Sequence, residues 1–313
     1  MSVIESVEKN SIIFGPIHSR RFGVSLGIDL SPSQKQCNFD CLYCELSPAK
    51  VIDKQEKVIE VDAIIDALKT HLNDTIDVIT LTANGEPTLY PYLDELIDKI
   101  KSITNKEILI LTNSATLKDK KVFNALLKLD QVKLSLDAAT QEVFKKIDRA
   151  TSTIHVDEII EAISLFSKLY SGKLMIEILF VKNINDKPQE IVKLNEALLK
   201  FSNIYRVDIG TIDRPPAYKV DSLSFEELHK ISLAFDATLP IHIATRKATK
   251  DAKSFYSQED IVNTLLKRPL TQDDIEHLFD EKSQENFKQL LQKGVIKEQK
   301  MGNILFFVVK SKK

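Results

Sequence analysis

The sequence predicts an α/β fold followed by a small helical tail, and three observations carry that expectation. From residue 23 to about 245, short apolar runs alternate with amphipathic stretches of helical length. The segment "ATRKATKDAK" (244–253) is polar and basic, with no apolar periodicity. Beyond it the pattern changes to three short helical stretches and a pair of strands. Strands alternating with helices of this length form βαβ units and a parallel sheet. Right-handed crossovers then leave a doubly wound sheet, a full barrel or a partial barrel. The expected organisation is a core at 1–243, a linker at 244–253 and a C-terminal domain at 254–313.

The elements follow in order. "GVSLGIDL" (23–30) reads as a strand that runs into a cysteine-bearing loop. "VDAIIDALKTHL" (61–72) has helical spacing, and "DVITLTA" (77–83) reads as a buried strand. The amphipathic "YLDELIDKIKSI" (92–103) leads to the strand "EILILT" (107–112), and the helical "LKDKKVFNALLKL" (117–129) to "QVKLSLD" (131–137). Helices at 141–147 and 155–170 precede the strand "KLMIEILFV" (173–181). The helix "PQEIVKLNEALLKF" (188–201) precedes a sixth strand, "IYRVDIGTI" (204–212). In the tail, helical patterns at 258–268, 271–280 and 284–294 lead into a hairpin turning at Met301-Gly302-Asn303. Thr271 and Asp274 have the spacing of a capping box. Three helices and a β-hairpin give the layout of a winged helix-turn-helix, although a fold does not settle a function.

Composition excludes several classes. The formal net charge is −2, so no global field marks the chain for nucleic acid or anionic lipid. The N-terminal stretch has early acids and no apolar h-region, so no secretory signal is expected. No run of about 18 apolar residues predicts a membrane span. The expected location is the cytoplasm, where thiols stay reduced.

All three cysteines of the chain lie in "QKQCNFDCLYC" (34–44), as Cys37, Cys41 and Cys44. Thiolates are soft ligands that select zinc, copper(I) or iron–sulfur clusters. Structural cysteines would scatter among strands, and a zinc knuckle pairs two such units or adds a histidine. No histidine lies between His18 and His71. A four-iron cluster held by only three thiolates keeps one iron open to a ligand, as catalytic zinc keeps an open position.

At this point the chain resembles the radical S-adenosylmethionine superfamily, whose signature is this Cys-x3-Cys-x-aromatic-Cys loop with Tyr43 as the aromatic. "TANGEPTL" (82–89), "LTNSA" (111–115) and "LSLDA" (134–138) extend the likeness. Each stands at the C-terminal end of an expected strand, where such sheets build their sites. "GPIHSRRFGVSLGIDLSP", "LFVKNIND" and "TIDRPPA" resemble a bacterial group related to the wybutosine-synthesising enzymes that modify tRNA. That tRNA enzyme carries further cysteines for a second cluster, which this chain lacks.

The resemblance implies a partial (β/α)6 TIM-like barrel with a small winged-helix-like domain. It implies a [4Fe-4S] cluster on Cys37, Cys41 and Cys44, whose open iron binds S-adenosylmethionine. Reduction by a donor such as flavodoxin or ferredoxin would then cleave the sulfonium and release a 5′-deoxyadenosyl radical. By the same resemblance Tyr43 sits beside the cluster, and Asn84, Gly85, Glu86 and Pro87 line the methionine amino group. Ser135 and Asp137 share one strand face and are expected at the ribose, Asn113 at ribose or carboxylate, and Asn183 and Asn185 at the adenine end. Arg20, Arg21 and Arg214 stand where guanidiniums would meet a phosphate or carboxylate of the substrate. The substrate implied is a tRNA or nucleotide. Activation of another protein, or an iron–sulfur sensor binding DNA through the tail, stand as alternatives. The tail holds ten Lys/Arg against nine Asp/Glu, a weak electrostatic footprint for nucleic acid.

Overall fold

The computed structural model describes residues 12–19, 22–243, 253, 255–267, 269–301 and 304–310. Arg20 and Arg21, the hairpin turn at Gly302-Asn303 and residues 244–252 of the expected linker lie outside the described residues.

Eight strands form one sheet in chain order, the strand order of a curling barrel wall. They are β1 (Ile13–Ser19), β2 (Gly23–Asp29), β3 (Val78–Thr82), β4 (Glu107–Thr112), β5 (Gln131–Ser135), β6 (Lys173–Phe180), β7 (Ile204–Thr211) and β8 (Ile241–Ile243). β1 is antiparallel to β2, and every later pairing is parallel. The crossovers carry α1 (Val61–His71), α2 (Leu93–Ile103), α3 (Lys120–Leu127), α4 (Gln141–Ile147), α5 (Val156–Leu169), α6 (Pro188–Leu198) and α7 (Phe225–Ser232). A short 3-10 turn (Pro87–Leu89) follows β3.

The six expected strands are present, and two more frame them. β1 lacks a clean alternation because Gly15 and Pro16 interrupt it, and its register shifts between Phe14 and Ile17. Proline cannot donate to a ladder, so an outer strand is where it is tolerated. β8 is three residues long, too short to register as a pattern.

The pleat separates two faces. Ile79, Leu81, Ile108, Ile110, Val132, Leu134, Ile176 and Ile178 point to the helices and are fully buried with their apolar stripes. Each such side chain contributes about 1.5–3 kcal/mol by leaving water. On the inner face Val78, Leu109 and Met175 form a separate small cluster with Phe22. Above this apolar floor the inner face turns polar.

The tail has its own core. α8 (Gln258–Lys267), α9 (Gln272–Leu278) and α10 (Glu281–Gln292) pack on a three-stranded antiparallel sheet. Its order is β10 (Ile296–Met301), β11 (Ile304–Val309), β9 (Leu270–Thr271). Tyr256, Phe279, Phe287 and Phe307 touch in series, with centroids 4.8, 6.2 and 4.9 Å apart. The Thr271–Asp274 capping box forms as the sequence predicts. The Tyr256 hydroxyl donates to the Pro16 carbonyl, which joins the tail to β1.

Candidate active site

The cysteine loop leaves the C-terminal end of β2 and is fastened on three sides. The first fastening is to the Gly-Glu-Pro segment. The Gln36 N–H donates to the Asn84 carbonyl and the Glu86 N–H donates to the Gln36 carbonyl, each at 2.9 Å. Gly85 permits this approach: its φ is +140°, and a Cβ there would lie 1.9 Å from the Gln36 carbonyl oxygen. The buried Gln36 amide also accepts from the Glu56 and Lys57 N–H groups (2.7 and 2.9 Å), closing the loop on itself.

The second fastening is to α4. The Asp40 N–H donates to the Asp148 carbonyl (3.1 Å), Leu42 N–H to Ile147 (2.9 Å), and Thr151 N–H to Asn38 (3.1 Å). Phe39 meets Phe144 edge-on at 5.5 Å. The third is the strap after β7. The Ala217 N–H donates to the Cys44 carbonyl (2.8 Å), Arg214 pairs with Glu45 (2.7 Å), and the Tyr218 hydroxyl donates to Asp40. Lys35 and Arg149 also pair with Asp40 at 3.3 and 3.5 Å.

Cys37, Cys41 and Cys44 are free and half-buried. Burial pushes all three thiols up; Cys37 rises to about 12, with the Glu86 charge adding, while the Lys35 ammonium opposes the rise at Cys44. The metal-free thiols therefore keep their protons, which a soft metal displaces on binding. The Phe39 N–H donates to Cys37 Sγ at 3.4 Å, the kind of bond that stabilises a cluster thiolate. Three soft thiols on one braced loop fit a four-iron cluster with one iron left open. Among the described residues no three His, Cys, Asp or Glu side chains converge to hold a single ion. In a cluster each thiolate takes a different iron, so such convergence is not required.

Beside the loop lies a cavity of about 400 Å³, bounded by Tyr43 and Cys44, by Glu177 and Leu179 of β6, and by Gly210 and Arg214 at the end of β7. A narrow pocket of about 10 Å³ runs behind it between Tyr43, Asn113, Ser135 and Asp137. Strand register sets Ser135, Glu177, Asp208 and His242 side by side across β5 to β8. Below them the buried Lys133 pairs with Glu177 and, at 3.4 Å, with Asp208. Arg206 and His242 approach Asp208 at 2.8 and 3.3 Å.

The residues singled out in the sequence take distinct places here. The Tyr43 hydroxyl donates to Asp137, whose other oxygen accepts from the Leu179 N–H at 2.7 Å. Asp137 therefore faces Tyr43 and β6, and the following helix is capped by Thr140. Loss of water pushes the Asp137 carboxyl up to about 7, against the pull of those two donors. Glu86 is buried and accepts from Thr88 N–H (3.0 Å), Thr88 Oγ1 (2.6 Å), Thr112 Oγ1 (2.6 Å) and Asn113 N–H (2.8 Å). It braces the segment, and Pro87 starts the short turn behind it. Asn113 donates to Asn38 Oδ1 (2.7 Å) and reaches Cys37 Sγ at 3.9 Å. Asn185 is buried between the Asp137 and Leu179 carbonyls (2.8 and 2.9 Å), a brace for the end of β6. Asn183 has φ +64° in the turn beside it. Arg214 reaches the cavity wall already paired with Glu45, and Asp274 of α9 adds its charge nearby. The Ser135 and Asn84 side chains are bonded to no described protein group.

Sequence reasoning missed Glu177, Lys133 and Asp208. Lys133 is a lone charge within its strand, a pattern that marks a group with a buried partner, whereas Glu177 and Asp208 share their strands with Lys173 and Arg206. The strap residues Ala217 and Tyr218 carried no such signal, because their bonds are set by how the chain returns after β7.

With this geometry in place, comparison with known proteins defines the class. The family described as the Radical SAM superfamily matches residues 31–194. A "UPF0026 protein" from Helicobacter pylori is 42% identical over 306 residues, covering 96% of this chain and 98% of its own. A "Probable GTP 3',8-cyclase" from Saccharolobus islandicus is 30% identical over 51% of this chain and 49% of its own. A radical SAM methyltransferase from Sphaerobacter thermophilus shares the fold, with TM-score 0.54 at 14% identity over 76% of this chain and 69% of its own. The chain belongs to the radical SAM superfamily. It is an enzyme of the class that works with a [4Fe-4S] cluster and S-adenosylmethionine.

Proposed function

We propose that this radical S-adenosylmethionine enzyme binds its cofactor between the cysteine loop and β5–β7 and acts on a nucleotide or a tRNA. One observation carries the reading: the braced loop with three free thiols borders, through Tyr43 and Cys44, a 400 Å³ cavity, a volume suited to a small-molecule ligand. Bound there, the cluster and S-adenosylmethionine supply a one-electron cleavage that gives methionine and a 5′-deoxyadenosyl radical.

Every other part belongs to the chain. Cys37, Cys41 and Cys44 would hold the cluster. Ser135 and its cross-strand neighbour Glu177 offer a hydroxyl and a carboxylate to the ribose. Asn84 and Asn113 would meet the methionine end, while Gly85, Glu86 and Pro87 hold the loop that presents it. Tyr43 and Leu179 wall the cavity against water.

A nucleotide or tRNA substrate is supported by the cyclase relative and by Arg214 at the cavity wall. The described part of the tail would serve as a winged-helix-like recognition domain, and the Asp274 charge on α9 acts on Arg214 at the cavity wall. The electron donor is a flavodoxin or ferredoxin, and the location is the cytoplasm. Among the described residues no helix is long and apolar enough to cross a membrane.

The test is anaerobic reconstitution with iron and sulfide, then S-adenosylmethionine and dithionite. 5′-Deoxyadenosine should form, fall to background in Cys41→Ala, and increase severalfold with the true substrate. A protein holding a four-iron cluster that makes no product above background overturns the reading. Equal product with and without nucleotides and tRNA overturns the substrate class.

A further inference from the structure

The outer helices of the barrel expose apolar surface unevenly. Along α1 to α4 the only large apolar residue left exposed is Ile103, at the last position of α2 and 36% exposed. The next three helices differ. Leu165 and Leu169 on α5, Val192 on α6, Leu199 just past it and Leu233 at the end of α7 are 49 to 72% exposed. A single exposed leucine is ordinary, whereas a contiguous apolar patch marks an interaction site.

These side chains adjoin one another. The hydroxyl of Ser164, next to Leu165, donates to the carbonyl of Lys200, next to Leu199 (3.0 Å). The Asp236 N–H, just beyond Leu233, donates to Asn195 Oδ1, one turn before Leu199 (2.8 Å). Leu165 lines an open groove of about 730 Å³ between α5 and α6. The groove carries Asp157, Glu161 and Glu196 against Lys168, Lys193 and Lys200. Among the described residues, Lys193 and Glu196 are the one ion pair that these six form (2.8 Å). The groove shares no lining residue with the cavity beside the cysteine loop.

We propose that the α5–α6 face is a two-fold interface between two copies of this chain, with their α5 helices crossing antiparallel at Leu165. The charges select that occupant. Three acids and three lysines cancel, so the groove offers no net field to the phosphates of a nucleic acid or to a strongly charged protein. A two-fold contact instead requires a patch that complements itself. The α5 helix meets that condition, with Asp157 and Glu161 in its first half and Lys168 in its last turn. With the axis between Ser164 and Leu165, Glu161 of each copy stands opposite Lys168 of the other. The two Leu165 side chains then meet at the axis, giving an apolar centre with a charged rim. The available area is of the right order. The three helices hold 14, 11 and 8 residues, about 21, 17 and 12 Å of helix at roughly 10 Å width. Their outer faces project on the order of 500 Å² before side-chain relief is added, against about 800 Å² per partner in a standard interface.

The experiment measures the mass of the full-length chain by sedimentation velocity and by light scattering after gel filtration, from about 1 to 100 μM. The wild type should run at twice the chain mass. Leu165→Asp should run as a monomer with an unchanged urea midpoint, because that side chain is exposed in the protomer. Glu161→Lys and Lys168→Glu should each weaken the dimer about tenfold, since the two-fold repeats each like-charge contact. Mixing those two variants should restore the dimer, because each then meets the opposite charge on the other. Should Leu165→Asp fail to fold, the two charge variants and their mixture decide alone. A wild type that stays monomeric throughout overturns the proposal. A dimer unmoved by Leu165→Asp and by both charge variants overturns the face. Charge variants that weaken the dimer but stay apart when mixed overturn the antiparallel pairing. A monomer whose binding to bulk tRNA is lost in Leu165→Asp also overturns the proposal, and gives the face to nucleic acid.

Discussion

Gly85 and Ser135 show two ways in which one residue governs the site. At Gly85 the backbone is left-handed and a Cβ would overlap the Gln36 carbonyl. Gly85→Ala should cost about 1–3 kcal/mol in strain, measured by urea denaturation of the metal-free protein. It should also lower iron retention after reconstitution, because Gln36 precedes the first ligand. Ser135 is the opposite case, since its hydroxyl bonds to no described protein group. Ser135→Ala should leave urea stability unchanged and weaken S-adenosylmethionine binding about fivefold, the worth of one hydrogen bond of roughly 1 kcal/mol. Equilibrium dialysis on reconstituted protein measures it. The cysteines and the Gly-Glu-Pro segment were legible because their identities and spacing carry the chemistry. The roles within the segment were not. Glu86 satisfies Thr88 within the segment, and also Thr112 and Asn113, partners that the fold supplies from the end of the next strand.

At the scale of elements, the parallel ladder decides which charges meet. Lys133 on β5, Glu177 on β6 and Asp208 on β7 converge because their strands pair in a fixed register. The Lys133 side chain is 5% exposed and that of Asp208 1%, so removing the cation leaves a buried carboxylate short of a partner. Lys133→Met should therefore destabilise the protein by about 3–5 kcal/mol in urea denaturation. A smaller change would mean that Arg206 and His242 already compensate Asp208. The expected strands and helices emerged with ends shifted by a few residues, because their apolar periods match their geometry. β1 and β8 did not, one interrupted by Gly-Pro and one too short for any period. Their place in the sheet comes from the neighbouring strand edges that they satisfy.

Across the whole molecule, the barrel wall and the tail meet through Tyr256, whose hydroxyl reaches β1. Its ring belongs to the tail's aromatic core. Tyr256→Phe should keep that core and remove only the bond between the two, at about 1 kcal/mol. Hydrogen exchange should then quicken in β1 and α8 and stay unchanged in β4 and β5. Uniform quickening would show that the tail stabilises the barrel as a whole.

By itself the sequence determined the class of fold, the one loop that carries all three thiols and the three strand ends that surround it. Periodicity and ligand spacing are local properties, and a chain carries them before it folds. Only the tertiary structure decided that Asp137 serves Tyr43 and Leu179 and that Glu177 stands beside Ser135. Only it decided that a strap from beyond β7 holds the cysteine loop. Each of those outcomes joins residues 40 to 180 positions apart, and a hydrogen bond or a field between such groups exists only once the sheet has set their distance.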